Sequence, residues 1–273
     1  MKTVVRISGG ATERVKDAIA VEEPLEVRLH GVSFAVLMRT PGDDEDLTAG
    51  FLFAERVITD GRELHRIEPC REPDHARSRN IVNVILRGEA AGRLERLLEA
   101  RRCIVTNSSC GVCGRLSIES LQVHAPFIDA PLTIERDVVV TLPDVLRDHQ
   151  SQFTQSGGLH AAALFTASGA CVRAFEDVGR HNAVDKLVGR ALREARLPAR
   201  TSILAVSGRA SFELVQKAFL AGIPVLAAVS APSSLAIELA EAAGITLIGF
   251  VRERGFNVYT HPQRVVGLSD PIL

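Results

Sequence analysis

Between residues 25 and 40 the chain reads LEVRLHGVSFAVLMRT, with apolar and polar positions alternating around Gly31. A period of two puts alternate side chains on opposite faces of an extended strand, so this stretch predicts a β-hairpin. Pro41-Gly42-Asp43-Asp44 follows as a turn and helix start, and Leu47, Phe51, Ala54 and Ile58 then recur at helical spacing over residues 46–58. Residues 80–87, with Ile81, Val82, Val84 and Ile85, predict another strand, and residues 90–101 a leucine-rich amphipathic helix. The short β-like run Cys103-Ile104-Val105 leads into Thr106-Asn107-Ser108-Ser109-Cys110-Gly111-Val112-Cys113-Gly114-Arg115. These are turn formers without core periodicity, which predicts a loop.

After the linker-like Ala125-Pro126 to Ala130-Pro131, the pattern changes. Helices are predicted at 142–153, 180–195, 212–221 and 233–243, and strands at 160–166, 170–175, 202–206, 224–229, 245–251 and 256–259. The strands are short and almost purely apolar, the pattern of strands buried on both faces. With helices interspersed, they predict a three-layer α/β/α sandwich around a mixed, largely parallel sheet. The fold class expected is therefore α/β, with an α+β N-terminal part. Residues 1–124 form the expected first domain, ending in the loop at 106–115, and residues 125–273 the second.

Composition narrows the function. The chain has 273 residues, 46% hydrophobic and 24% charged, which is ordinary for a protein with a real core. A formal net charge of −1 supplies no global basic field, and 11 Phe, one Tyr and no Trp make a poor base-stacking platform. Nucleic acid is therefore not an expected partner. Basic charge is carried by Arg with few Lys, which reads as codon bias. No signal-peptide pattern opens the chain and no run of about 18 apolar residues occurs, so a cytoplasmic location without membrane contact is expected. Five cysteines, an odd number in a reducing compartment, do not read as a disulfide framework.

The sharpest chemistry is the pair Cys110 and Cys113. Thiol chemistry needs a sulfur that is accessible, mobile and ionised near neutral pH. Gly111 and Gly114 free the backbone, no Asp or Glu occurs from Cys103 to Ile118, and Arg115 favours thiolate. At this spacing Cys113 can resolve or protect Cys110 as a disulfide. Rival readings remain at this point. Half a zinc motif is present, but Cys70, His75 and Cys103 are too scattered to complete it. A thioredoxin-like pair would want a βαβ context and an aromatic neighbour, and a structural pair is the third alternative. Cys103 and Cys171 lie in apolar strands and read as small hydrophobes. Cys70 adjoins Pro69 in a charged loop.

His160 deserves comparison with zinc deaminases, which need His-x-Glu and then a downstream Cys pair. Here Ala162 stands at the Glu position and the Cys pair comes first, so deamination is not supported. His160 is left as either a site residue or a core histidine. Three turns look able to hold phosphate: Ser207-Gly208-Arg209-Ala210-Ser211, Asp177-Val178-Gly179-Arg180-His181-Asn182, and Phe250-Val251-Arg252-Glu253-Arg254-Gly255.

Taken together, these motifs resemble the FdhD (NarQ) family of formate dehydrogenase accessory sulfurtransferases. The resemblance rests on residues 108–114, 157–162, 176–186, 207–209, 230–236 and 249–259, in that order, and spans about residues 24 to 262. It implies a cytoplasmic persulfide carrier that accepts sulfur from a cysteine desulfurase and passes it to the molybdenum (or tungsten) bis(molybdopterin guanine dinucleotide) cofactor. That cofactor, here the substrate, is then inserted into apo formate dehydrogenase. By position, Cys110 would bear the persulfide, Cys113 would support it, and Phe250, Val251, Arg252, Glu253, Arg254 and Gly255 would bind the cofactor. The resemblance also implies a cytidine deaminase-like second domain, a homodimer and no tightly bound metal. The alternative is a chaperone that delivers the cofactor without moving sulfur; an acid-free Cys pair favours transfer.

Overall fold

Alternation along the chain produces three sheets in the computed structural model, which describes residues 1–70, 78–102 and 125–268. The predicted strand at Cys103, the loop at 106–115 and both Cys110 and Cys113 lie outside the described residues.

Strands β1 (Lys2–Ser8) and β2 (Ala11–Asp17) form a two-stranded antiparallel ribbon. Gly9 and Gly10, at φ +57° and +85°, make its two-residue turn. No element was predicted there. Strands β3 (Glu23–Leu29) and β4 (Val32–Arg39) are the predicted hairpin, turning at His30 and Gly31, both at positive φ. Helix α1 (Asp44–Ala54) comes next, then β5 (Leu64–Pro69) and β6 (Ile81–Leu86). The four strands order β4-β3-β6-β5, with β3 and β6 parallel. The helix predicted at 90–101 is two: α2 (Gly88–Gly92) and α3 (Leu94–Arg102). They part at Arg93, whose guanidinium is held between Glu63 and Glu89.

In the second half, α4 (Arg136–Asp148) and α5 (Ser151–Ser156) replace one predicted helix. The first begins before Pro143 because Val139, Leu142 and Leu146 at helical spacing are all buried. Strands β7 (His160–Phe165) and β8 (Cys171–Asp177) lead to α6 (Arg180–Arg193). Then come β9 (Ile203–Val206), α7 (Phe212–Leu220), β10 (Val225–Ala228), α8 (Ser234–Ala243), β11 (Thr246–Arg252) and β12 (Gly255–Val258). The sheet order is β12-β11-β10-β9-β7-β8, with β9, β10 and β11 parallel. Ile203 and Ala205 pack in one apolar cluster with Val139, Leu142 and Leu146 of α4, while Leu204 and Val206 join α6 and α7 in another. The sheet is thus buried on both faces, as the unbroken apolar strands require. The mixed α/β class with layered helices is the one the sequence predicts, but the sheet is not largely parallel as expected. Strand pairs β11–β12, β7–β8 and β7–β9 are antiparallel, because tight turns rather than helices join β7 to β8 and β11 to β12.

The α6 cluster also contains Leu25, Val27, Leu52 and Val84, so one core runs from the four-stranded sheet through α1 and α6 to the six-stranded sheet. Helices α1 and α6 meet backbone to backbone: a Cβ on Gly50 would lie 1.9 Å from Asp185 O, and one on Gly189 1.9 Å from Asp46 O. At one end of this contact the buried Asp46 carboxylate accepts from Arg190 Nε at 2.7 Å and from Arg193. Among the described residues no helix is long and apolar enough to cross a membrane.

Candidate functional site

Parallel strands deliver their connecting turns to one edge of a sheet, which is where open α/β folds place ligands. At the carboxyl ends of β9, β10 and β11 the turns are hydrogen-bonded in series. Ser230 N donates to Gly208 O and Phe250 N donates to Ser230 O, each at 3.3 Å. Ala210 N reaches Ala231 O at 3.2 Å. Gly249 permits this closeness, since a Cβ there would lie 3.0 Å from Pro232 and Tyr259 side-chain atoms and 3.2 Å from Ser230 O. The structure therefore brings the 207–211 and 250–255 turns to the same edge.

In the second of these turns Val251 is 2% exposed and belongs to the α4-side core. Phe250 is held at φ +53° and is 39% exposed as a residue, and Arg252, Glu253 and Arg254 face solvent at the β11–β12 turn. A left-handed conformation is uncommon for a bulky residue, and here it accompanies a partly exposed aromatic residue in a turn that also carries two exposed arginines.

Strand β7 runs antiparallel to β9, so its first residue, His160, reaches the same edge. The ring is half-buried, and a Cβ on Gly208 would lie 3.4 Å from its Nδ1. Burial, then the charges of Arg180 and His181, depress its pKa, with Asp177 opposing. His160 is therefore neutral at pH 7. NMR titration should place its midpoint below the ordinary value of about 6.5. Arg180→Gln should raise the midpoint while burial still holds it under that value. A midpoint above 6.5 in the wild type would show that the ring is not packed as described.

The segment from Glu176 to Lys186 divides by task. Asp177 is fully buried and satisfied: it accepts from Gly179 N at 2.9 Å, Asn182 Nδ2 at 2.8 Å and Thr40 N at 3.2 Å, and pairs with Lys186 Nζ at 2.8 Å. Lys186 also donates to Thr40 O and Glu176 O, and Asn182 to Met38 O. The Glu176 carboxylate caps α5 by accepting from Gln152 N and Phe153 N. These groups lock the turn onto the end of β4 and fix the start of α6. A buried network with every member paired rigidifies what it touches.

Arg180 and His181 occupy that fixed helix start. His181 Nε2 lies 2.8 Å from Glu213 Oε2 and 3.2 Å from Ser211 Oγ. Serine and carboxylate share one ring nitrogen, whereas a nucleophile-activating triad needs them on opposite nitrogens. Ser211 and Glu213 are thus not arranged around His181 as members of such a triad. One turn along, Asp185 pairs with Lys217 Nζ at 2.6 Å, giving a second polar rung between α6 and α7. Burial pushes the Asp185 carboxyl up to about 6 despite Lys217. Among the described residues no three His, Cys, Asp or Glu groups converge as metal ligands. Cys171 is partly buried against the α4-side core and its thiol is pushed up by burial, as a small hydrophobe would be. Cys70, also partly buried, continues the ladder through its N to Ile81 O at 2.8 Å.

Sequence reasoning did not single out Glu213, which lies on a helix face with no motif around it, nor the partnerships of Asp177, Asn182 and Lys186. Only packing of separate elements reveals them.

Comparison with known proteins fits this layout. A family model described as the FdhD/NarQ family matches residues 20–266. A Streptomyces coelicolor protein named "Sulfur carrier protein FdhD" is 50% identical over 97% of this chain and 94% of its own length. A protein of the same name from Mycolicibacterium paratuberculosis is 47% identical over 97% of each chain. Among solved structures, a protein assigned as a formate dehydrogenase accessory protein from Desulfotalea psychrophila superposes with a TM-score of 0.76. It is 25% identical, and the match covers 97% of this chain and 98% of that one. With a family model spanning most of the sequence and relatives near half identity end to end, the chain belongs to the FdhD/NarQ family.

Proposed function

We propose that this protein is a sulfur carrier that serves formate dehydrogenase as a persulfide-type sulfurtransferase. The observation that carries the reading is the near-full-length identity, about half of all positions, to proteins named as sulfur carriers. In this account a cysteine desulfurase presents a persulfide, and the Cys110 thiolate attacks its outer sulfur. One S–S bond forms as the other breaks, and the donor leaves as a thiolate, so no external oxidant or reductant is needed. Attack of Cys113 on the inner sulfur of the resulting persulfide releases hydrosulfide and leaves a Cys110–Cys113 disulfide, the two thiols supplying the two electrons; exchange with a cellular dithiol, which is oxidised in turn, then restores both thiols for the next round. The acceptor is the molybdenum bis(molybdopterin guanine dinucleotide) cofactor, bound as substrate before it enters apo formate dehydrogenase. The cycle is placed in the cytoplasm, on a homodimer.

A substrate with dinucleotide arms carries phosphate charge and flat bases. The 250–255 turn suits it: Phe250 offers a ring face, and Arg252 and Arg254 offer planar donor forks that match phosphate oxygens. The reading expects the wild-type chain to restore formate dehydrogenase activity to cells lacking their own carrier. It also expects Arg252→Ala to weaken cofactor binding several-fold while sulfur loading stays at the wild-type level. Failure of the wild type to restore activity would overturn the function, and unchanged cofactor affinity in Arg252→Ala would remove that turn from the site.

A further inference from the structure

A cleft of about 450 Å³ opens between the segment that joins α1 to β5 and the far ends of α6 and α7. It lies away from the turns described above: at 1.5 Å per residue, the 14 residues of α6 put it about 20 Å from the helix start at Arg180. Phe53 and Leu192 are buried and Leu197 and Leu220 half-buried, so its floor and walls are largely apolar. A cleft of this size, apolar with a few polar groups at one side, suits a small ligand. Four charged side chains line it, the guanidiniums of Arg62, Arg87 and Arg193 and the carboxylate of Asp60. Both Asp60 oxygens accept from Arg62, and Arg193 is taken up by Glu45 and Asp46. Arg87 remains. Its Nε donates to Arg62 O, which steadies the guanidinium against the 59–62 turn, and the residue is otherwise exposed. Among the described residues no carboxylate pairs with it.

We propose that this cleft binds a small carboxylate with an apolar body, the carboxylate on Arg87 and the body against Phe53 and the leucines. The helix ends set that orientation. The last carbonyls of α6 and α7 disfavour negative charge beside them, so the anion belongs at the arginine rim and the apolar part deeper in. A carboxylate is favoured over a phosphate because one guanidinium fork matches its two oxygens, whereas a phosphate would leave an oxygen without a donor. The site shares no residue with the strand-end turns and stands whether or not the chain carries sulfur.

Hexanoate titrated into the full chain by calorimetry tests the site. The expected result is measurable binding to the wild type and at least about tenfold weaker binding to Arg87→Gln, a loss of about 1.4 kcal/mol. Arg87 is exposed, so this variant should melt with the wild type and lost binding is not lost fold. Arg147→Gln, on α4 across the six-stranded sheet, should bind like the wild type. Hexanamide keeps the apolar body without the charge and should bind at least about tenfold more weakly than hexanoate. From butanoate to octanoate, affinity should rise about fourfold for each added methylene as the apolar walls are covered. No binding to the wild type, equal binding to Arg87→Gln, equal loss in Arg147→Gln, or affinity independent of chain length overturns the site. Tighter binding of a peptide ending in leucine would overturn the small-ligand assignment and make the cleft a dock for a partner's chain end.

Discussion

Cells that depend on a Cys110→Ala chain for maturation are expected to show formate dehydrogenase activity no higher than cells with no carrier at all. Alanine has no nucleophile, and nothing else in the segment from 106 to 115 except Cys113 can take up sulfane sulfur. If Cys113 only supports its neighbour, it cannot replace it, because transfer then needs one thiolate to accept and the other to release. Stability should not change. By sequence the stretch around Cys110 consists of turn formers without core periodicity, the kind of position at which a substitution is expected to change stability little. The expected signature is thus loss of maturation, measured as formate oxidation in extracts, with an unaltered melting curve and cofactor affinity. Maturation at the wild-type level in this variant would remove Cys110 from the chemistry.

Gly189→Ala is expected to damage the fold more than any surface change. On an isolated helix the substitution would help by about 1 kcal/mol. Here the new Cβ would lie 1.9 Å from Asp46 O and 2.6 Å from Gly50 N, both backbone atoms of α1 that cannot rotate away. The helices must separate, which breaks the packing of α1 on α6 and strains the bonds from Arg190 and Arg193 to the buried Asp46. Overpacking of this kind costs at least the usual 1–3 kcal/mol, and with backbone on both sides about 4 kcal/mol or more. For a chain of this size that lowers the melting temperature by roughly 10 °C. Gly92→Ala is the control: a Cβ there meets nothing within 4 Å, and its melting curve should match the wild type. Equal melting of Gly189→Ala and wild type would show that α1 and α6 do not touch through these glycines.

Much of the second half was legible because its residues obey local rules. Strands β9, β10 and β11 are short apolar runs, β9 and β10 each followed by a turn and an amphipathic helix, and α6 presents Ala183, Val184, Leu187 and Val188 at helical spacing. Elements whose signals were weaker or mixed were lost. The β1–β2 ribbon is flagged only by Gly9-Gly10 between short alternating runs. Strand β5, LHRIEP, contains half polar residues because both its faces are partly wet. The start of α4 is masked by Pro143, and the division of α2 from α3 by the helix-forming residues that stand on either side of Arg93, Ala90 and Ala91 before it and Leu94 and Glu95 after it. For the site, the turns near Arg180, Gly208 and Phe250 could be named from residue type, but their sharing of one edge follows from strand order. Gly50 and Gly189 read locally as weak points in helices; only the approach of two helices explains them. Glu213 acquires meaning from His181, some thirty residues away, and no local pattern records that pairing.

Sulfur transport itself is tested most directly by the intact mass of the protein after incubation with a cysteine desulfurase and cysteine. The account predicts a gain of one sulfur atom on the wild type, removed by reductant and absent from Cys110→Ala. No gain on the wild type, with the desulfurase shown to be active, would contradict it and leave a cofactor chaperone that binds and delivers without moving sulfur.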